Sequence, residues 1–137
     1  MKKHDPIIII DDDDEDISMI REAVLALGIK NEVLTFTDSR SALDHLSKAD
    51  PIPFLILCDI NMPKLDGFGL RTYINNNLPA IKSTPFIFLS TTGDADSITK
   101  GYSMNIQGFF TKPNSFNKMV VMIRQIVDYW NLVQYAL

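Results

Sequence analysis

Five short runs of apolar, β-favouring residues punctuate the chain, at positions 7–10, 33–36, 54–58, 86–89 and, more weakly, 108–111. None alternates with polar residues, which is the pattern of parallel strands covered on both faces. The segments between them carry helical spacing instead. Ile17, Ile20, Val24 and Leu27 form one stripe that stops at Gly28, a residue suited to ending a helix. A second helix is predicted over 39–47, with Ala42, Leu43 and Leu46 inward and Asp38 or Ser39 as its cap. The third starts near Phe68 and frays in the Asn-rich stretch before Pro79, because proline and its predecessor resist the helical conformation. A fourth, with little apolar surface, is predicted over 94–103. The fifth is the clearest: Asn114 or Ser115 precedes Phe116, Met119, Val120, Ile123, Ile126, Val127 and Trp130 on one face.

Five strands alternating with five helices predict an α/β fold. A parallel sheet with helices on both faces is the economical packing, since right-handed crossovers leave few alternatives. The 137 residues suffice for one domain with a continuous core. No repeat, low-complexity linker or leftover segment suggests a second. The expected domain spans 1–137, with a core of about 6–130 and a helical extension to 137.

Composition changes this picture little, at 46% hydrophobic and 22% charged residues, as in ordinary globular chains. The formal charge of −4 and the lack of any Lys/Arg-rich run offer no electrostatic footprint for nucleic acid or an anionic membrane surface. Cys58 is the single cysteine, so the monomer has no disulfide framework, and its place in an apolar run marks an inert buried thiol. No apolar run approaches membrane-spanning length, and the N-terminal one is too short for a signal-peptide core. A cytoplasmic protein is expected.

In an open α/β sheet, ligands collect beyond the carboxyl ends of the strands. There the sequence places the acidic run 11–16, then Asp59 with Asn61 close behind, then Ser90-Thr91-Thr92, and finally Thr111-Lys112-Pro113. Asp14, Glu15 and Asp16 read as a solvated first helical turn favoured by the dipole. Asp11 and Asp12 differ, because they abut a buried strand, where like charges repel unless a cation compensates. Oxygen ligands of this kind suit Mg²⁺. Taken singly, Asp59 could be a strand-end cap, Lys112 a surface lysine and Ser90 a core-edge hydroxyl. Together they are the parts that move a phosphoryl group onto a carboxylate: a nucleophile, a metal, a hydroxyl donor and a cation. Neither Gly-rich phosphate loop occurs, which argues against a nucleotide donor. His4, expected in a loose terminus, and His45, on the second helix, do not add a zinc site.

The segments IIIIDDDDEDISMIREAVLALG, FLILCDINMPKLDGFGL, PFIFLST and GFFTKP, in that order, resemble the receiver domain of two-component response regulators over nearly the whole chain, from about Pro6 to Tyr129. The resemblance implies a flavodoxin-like three-layer sandwich with a five-stranded parallel sheet in the order 2-1-3-4-5. It implies a phosphoacceptor rather than a turnover enzyme, with Asp59 modified by a histidine kinase and then slowly hydrolysed. Asp12 would bind Mg²⁺ directly, Asp11 mainly through water, and the backbone carbonyl of Asn61 would complete the protein ligands with Asp59. Ser90 and Lys112 would each meet a phosphoryl oxygen, Ser90 and Phe109 would form the switch, and a cis peptide bond would precede Pro113.

Two departures stand out. The turn before the fifth strand reads Asn105-Ile106 where the family usually has Gly-Ala, and Phe109 has no phenolic hydroxyl. Asn tolerates the left-handed conformation. Ile106 is bulkier than Ala and bears on how the fourth helix meets the fifth strand.

The C-terminal part is similar to stand-alone receivers that partner phytochrome-like and related sensor kinases. The implied partners are a sensor histidine kinase, phytochrome-like or hybrid, and a histidine-containing phosphotransfer protein. A homodimer through the last strands and helices is open, as is simple coverage of the sheet, for the apolar-aromatic tail of Tyr129, Trp130, Leu132, Val133, Tyr135 and Leu137. The main rival is a receiver-like interaction module that does not use phosphorylation. A flavodoxin is disfavoured by six acids where a phosphate loop should lie, and a haloacid-dehalogenase-type phosphohydrolase by the missing Thr/Val of its motif and by lack of a cap.

Overall fold

The computed structural model describes residues 3–134. Its strands are β1 (Ile7–Ile10), β2 (Val33–Phe36), β3 (Leu55–Cys58), β4 (Phe86–Ser90) and β5 (Gly108–Thr111). Its helices are α1 (Asp14–Leu25), α2 (Ser39–Leu46), α3 (Gly67–Asn77), α4 (Pro79–Lys82), α5 (Ala95–Tyr102) and α6 (Phe116–Leu132). All strand pairs are parallel, in the order β2-β1-β3-β4-β5. This is the (βα)5 flavodoxin-like arrangement, with α4 a single extra turn that follows α3 across Leu78 and has Pro79 in its first turn. Proline ends α3 yet suits the start of a new turn, since its missing N–H would be unpaired there.

Strand alternation splits the core into two layers. Ile7, Ile9, Leu55, Leu57, Ile87 and Leu89 face α1 and α6, meeting Ile17, Ile20, Val24, Met119, Ile123 and Ile126. Ile8, Ile10, Ile56, Cys58, Phe86 and Phe88 face the other way, onto Ala42, Leu46, Phe68, Leu70 and Ile74. β1, β3 and β4 are buried throughout, as their unbroken apolar runs predict. β2 and β5 are sheet edges and only partly buried. Of the predicted α6 face, Met119, Ile123, Ile126 and Val127 are buried, whereas Phe116 is exposed.

Every helix of eight residues or more begins on a side-chain cap. Asp13, Asp38, Asp66, Asp94 and Ser115 each accept a hydrogen bond from a backbone N–H three residues on. Beyond α1, Gly28 adopts φ +68°, the left-handed turn that stops the helix. Asn105 does the same at φ +61°, so the turn before β5 survives without glycine. Ile106 is also accommodated: it is buried, and it faces Gly101 of α5, where a Cβ would come within 3.0 Å of its Cδ1.

Two expectations are corrected. The Lys112–Pro113 bond is trans, and the cis bond among the described residues is Asp50–Pro51; trans is the form X–Pro bonds favour by about 0.5–1 kcal/mol unless the surroundings impose the other. His4 does not sit in a loose end, because the Asn31 amide donates to the carbonyls of Lys3 and Asp5 on either side of it. Among the described residues, no helix is long and apolar enough to cross a membrane.

Candidate functional site

Parallel register brings the polar residues together. Three residues just past strand ends are held by their backbones to a neighbouring strand. Asp11 N–H donates to the Phe36 carbonyl at 3.0 Å, Asp59 N–H to Ile10 at 2.8 Å, and Lys112 N–H to Ser90 at 2.7 Å. Ile10 stands opposite Cys58, and Ser90 opposite Thr111. The residues that follow therefore lie along one edge of the sheet although they are far apart in sequence.

Behind Asp59 the chain turns sharply into α3. Met62 N–H donates to Ile60, Leu65 to Pro63 and Gly67 to Ile60, and these bonds bypass the Asn61 carbonyl. A Cβ at Gly67 would clash with the Asp59 carbonyl oxygen and come within 2.9 Å of Phe88, so only glycine lets α3 start this close. On the other flank, Ser39 donates to the Leu65 carbonyl and ties α2 to the same loop.

Asp11, Asp12 and Asp59 offer carboxylate oxygens that all lie within 4.8 Å of one another. Asp11 is 1% exposed and Asp59 8%, while Asp12 is open to solvent. The ammonium of Lys112, 7% exposed, stands 2.6 Å from Asp11, 2.9 Å from Asp16 and 3.4 Å from Asp59. One cation thus faces several carboxylates, and the balance of charge is negative. Burial, and then the neighbouring Asp11 charge, push the Asp59 carboxyl up to about 6, against the pull of Lys112. Burial likewise raises Asp11, while its bond to Lys112 acts the other way. Burial alone would lower Lys112, but its bonds to Asp11 and Asp16 outweigh this and hold it above the ordinary lysine value. A cluster of hard oxygen donors short of positive charge, with one open carboxylate, fits a divalent cation.

Of the other predicted residues, Ser90 is buried at the end of β4, where its hydroxyl accepts a hydrogen bond from Thr92 N–H at 3.2 Å. Phe109 lies on β5, half-buried, with its ring edge-on to Phe88 at 6.1 Å. Its N–H donates to the Tyr102 hydroxyl of α5. Cys58 is fully enclosed, and burial raises its thiol well above the usual value. His45 is half-buried against Phe36. In the tail, Tyr129 and Leu132 are exposed and Trp130 is half-buried; Tyr135 and Leu137 lie outside the described residues.

The site residue that sequence reasoning missed is Asp16. It was expected on a solvated helix face together with Asp14 and Glu15, which are indeed exposed. Its carboxylate instead turns to Lys112, a partner 96 residues away in the chain that no local spacing can reveal.

The sequence profile of the family described as "Response regulator receiver domain" matches residues 7–124. Response regulator Rcp1 of Synechocystis is 26% identical over 129 residues, covering 90% of this chain and 87% of that protein. The probable methanogenesis regulatory protein FilR2 of Methanothrix harundinacea is 26% identical over 136 residues, covering 95% and 87%. The crystal structure of a phosphorylated cyanobacterial phytochrome response regulator, RcpA, superposes with a TM-score of 0.86 at 28% identity, covering 96% and 97% of the two chains. The Mn²⁺-bound form of Rcp1 superposes with a TM-score of 0.81 at 26% identity, covering 96% and 98%.

Proposed function

Since the chain belongs to the response regulator receiver family, a family of signalling modules rather than turnover enzymes, we propose that it accepts a phosphoryl group on Asp59 from a histidine kinase and signals through protein contacts. The observation that carries this reading is the convergence of Asp11, Asp12, Asp59 and Lys112 at one sheet edge. A carboxylate oxygen of Asp59 attacks the phosphorus of a phosphohistidine. The new O–P bond forms as the P–N bond breaks, and the leaving imidazole takes a proton from solvent. Hydrolysis reverses the loading: a water oxygen bonds to phosphorus, the O–P bond to Asp59 breaks, and the carboxylate and inorganic phosphate remain.

Asp11, Asp12, Asp59 and the Asn61 carbonyl are the residues to hold Mg²⁺, which when bound neutralises charge on the phosphoryl oxygens. Lys112 supplies a second positive charge from the protein itself. The Ser90 hydroxyl uses a lone pair toward Thr92 N–H, which leaves its proton free to donate to a phosphoryl oxygen. Phe109, edge-on to Phe88, is the ring to turn inward as Ser90 moves toward the phosphoryl group.

The partner is a sensor histidine kinase, of phytochrome-like or hybrid type by analogy with RcpA and Rcp1. A histidine phosphotransfer protein and a second copy of this chain, docked through the last strands and helices, are further partners on this reading. Neither nucleic acid nor a membrane belongs to it, and the setting is the cytoplasm.

The deciding experiment is intact-protein mass after incubation with acetyl phosphate and Mg²⁺, beside Asp59→Asn. A single Mg²⁺-dependent adduct, labile to hydroxylamine and missing from the variant, is the expected result. No adduct and no Mg²⁺ binding would favour an interaction module that does not use phosphorylation.

A further inference from the structure

We propose that Asp16 is a positioning residue that competes with the phosphoryl group for Lys112, and so slows the loading of Asp59; this rests on Asp59 being the phosphoacceptor. An ammonium has three N–H donors. That of Lys112 spends two within ordinary hydrogen-bond distance, on Asp11 at 2.6 Å and on Asp16 at 2.9 Å. Asp59, where the charge develops, is the longest of its three ionic contacts at 3.4 Å.

Asp16 stands apart from the carboxylate cluster of Asp11, Asp12 and Asp59. Its backbone is fixed by the α1 cap, because its own N–H donates to Asp13 Oδ1 at 2.9 Å. A side chain anchored this way in a first helical turn holds Lys112 from the α1 side, closer to the ammonium than Asp59 is. As the O–P bond to Asp59 forms and the bond to the leaving group breaks, negative charge spreads over the phosphoryl oxygens. One N–H remains for that charge, but the ammonium closes its 3.4 Å to Asp59 by lengthening its present contacts. Asp16, 36% exposed at its side chain, is the one that water can replace at least cost.

The test is the rate of adduct formation from acetyl phosphate, which transfers its phosphoryl group to Asp59 and leaves as acetate, in saturating Mg²⁺. Asp16→Asn keeps the side-chain volume and removes the charge. Asp14→Asn removes an equal charge from the same turn at an exposed position without a bond to Lys112. Loading of Asp16→Asn should be about 3- to 10-fold faster than wild type, the size of coupling seen between neighbouring charged groups. Asp14→Asn should match wild type, and Asp16→Asn should give no acceleration in a Lys112→Met background. Independently of loading, the metal-free protein should show a protected Lys112 ammonium resonance by nitrogen-15 NMR, with protection lost in Asp16→Asn and kept in Asp14→Asn. Equal acceleration by Asp14→Asn, or acceleration that persists without Lys112, would overturn the proposal in favour of a general field effect. An unchanged rate in Asp16→Asn beside a wild type that loads normally would also overturn it, while leaving the role of Asp59 intact. Failure of the wild type to load would remove the reading beneath it.

Discussion

Asp59 is a carboxyl held near 6 by burial and by the charge on Asp11, well above the usual value of about 3.9. Without a divalent cation the folded state therefore binds the Asp59 proton more tightly than the unfolded state does. The sign follows: stability is lowest where the group must ionise, above about pH 6, and recovers as the pH falls through 6 toward 4. Asp59→Asn should exceed wild type by about 1–3 kcal/mol at pH 7.5, at 1.36 kcal/mol per pKa unit. Urea unfolding in chelator should show that advantage shrinking toward zero near pH 4. Mg²⁺ held by the Asp11, Asp12 and Asp59 cluster would act on the same charge. At a hundredfold excess over its dissociation constant it should stabilise the wild type by about 2.7 kcal/mol. Asp12→Ala, which removes the exposed carboxylate of the cluster, should abolish most of that gain in thermal unfolding with and without chelator. Which residues stand at this edge was legible in the sequence, because each directly follows an apolar run. How they divide the single cation was not. Asp14 and Asp16 look alike in a string of acids, yet only the helical turn from Asp13 sends one toward Lys112.

At the scale of elements, α3 carries a residue that departs from the expected apolar pattern. Arg71 is 1% exposed, and its guanidinium donates to the carbonyls of Met104, Asn105 and Lys82. It also lies over the Phe86 ring, 5.1 Å from its centroid. Burial lowers its pKa to about 10, which still leaves it charged at neutral pH. The acceptors are carbonyls at the ends of α4 and α5, where a helix presents unpaired oxygens and partial negative charge. Arg71→Leu removes this shared donor, leaving the Met104 carbonyl with its bond from Asn75 and the Asn105 carbonyl with that from Gln107. The expected cost is about 2–4 kcal/mol by denaturant unfolding, with Arg71→Lys recovering only part of it because the planar fork is lost. Helix positions were legible from spacing, and the caps Asp38 and Ser115 from their place before an apolar face. The inward place of Arg71 was partly so: it stands three residues from both Phe68 and Ile74, on one side of the helix. Its partners were not, since backbone carbonyls leave no mark in a sequence. The same limit hid α4, which needs Leu78 to break one helix before Pro79 starts another.

At the scale of the molecule, one sheet separates two differently built layers. α1 and α6 close one side over a continuous apolar core, whereas α5 on the other side buries only Gly101. The topology followed from strand order and crossover handedness, and the unequal cover of the two faces was visible in the weak apolar content of the fourth predicted helix. The site, by contrast, joins residues from four strand ends, and only the assembled sheet sets their distances. The stretch from β4 into the first turn of α5 leaves directly from Ser90 and is exposed from Thr91 to Asp96, while the chain just past the far end of α5 meets Arg71. Hydrogen exchange should therefore show amides 91–96 opening faster than those at 104–107. Because the Arg71 guanidinium grips the chain just past the C-terminus of α5, that helix is built like a door hung on one jamb. Its first turn follows the exposed loop from Ser90, and its hinge is fastened by a residue outside the cluster of Asp11, Asp12 and Asp59. A change of charge at Asp59 would then be felt by a partner as a swing of the α5 surface about the Met104–Asn105 turn rather than as its displacement.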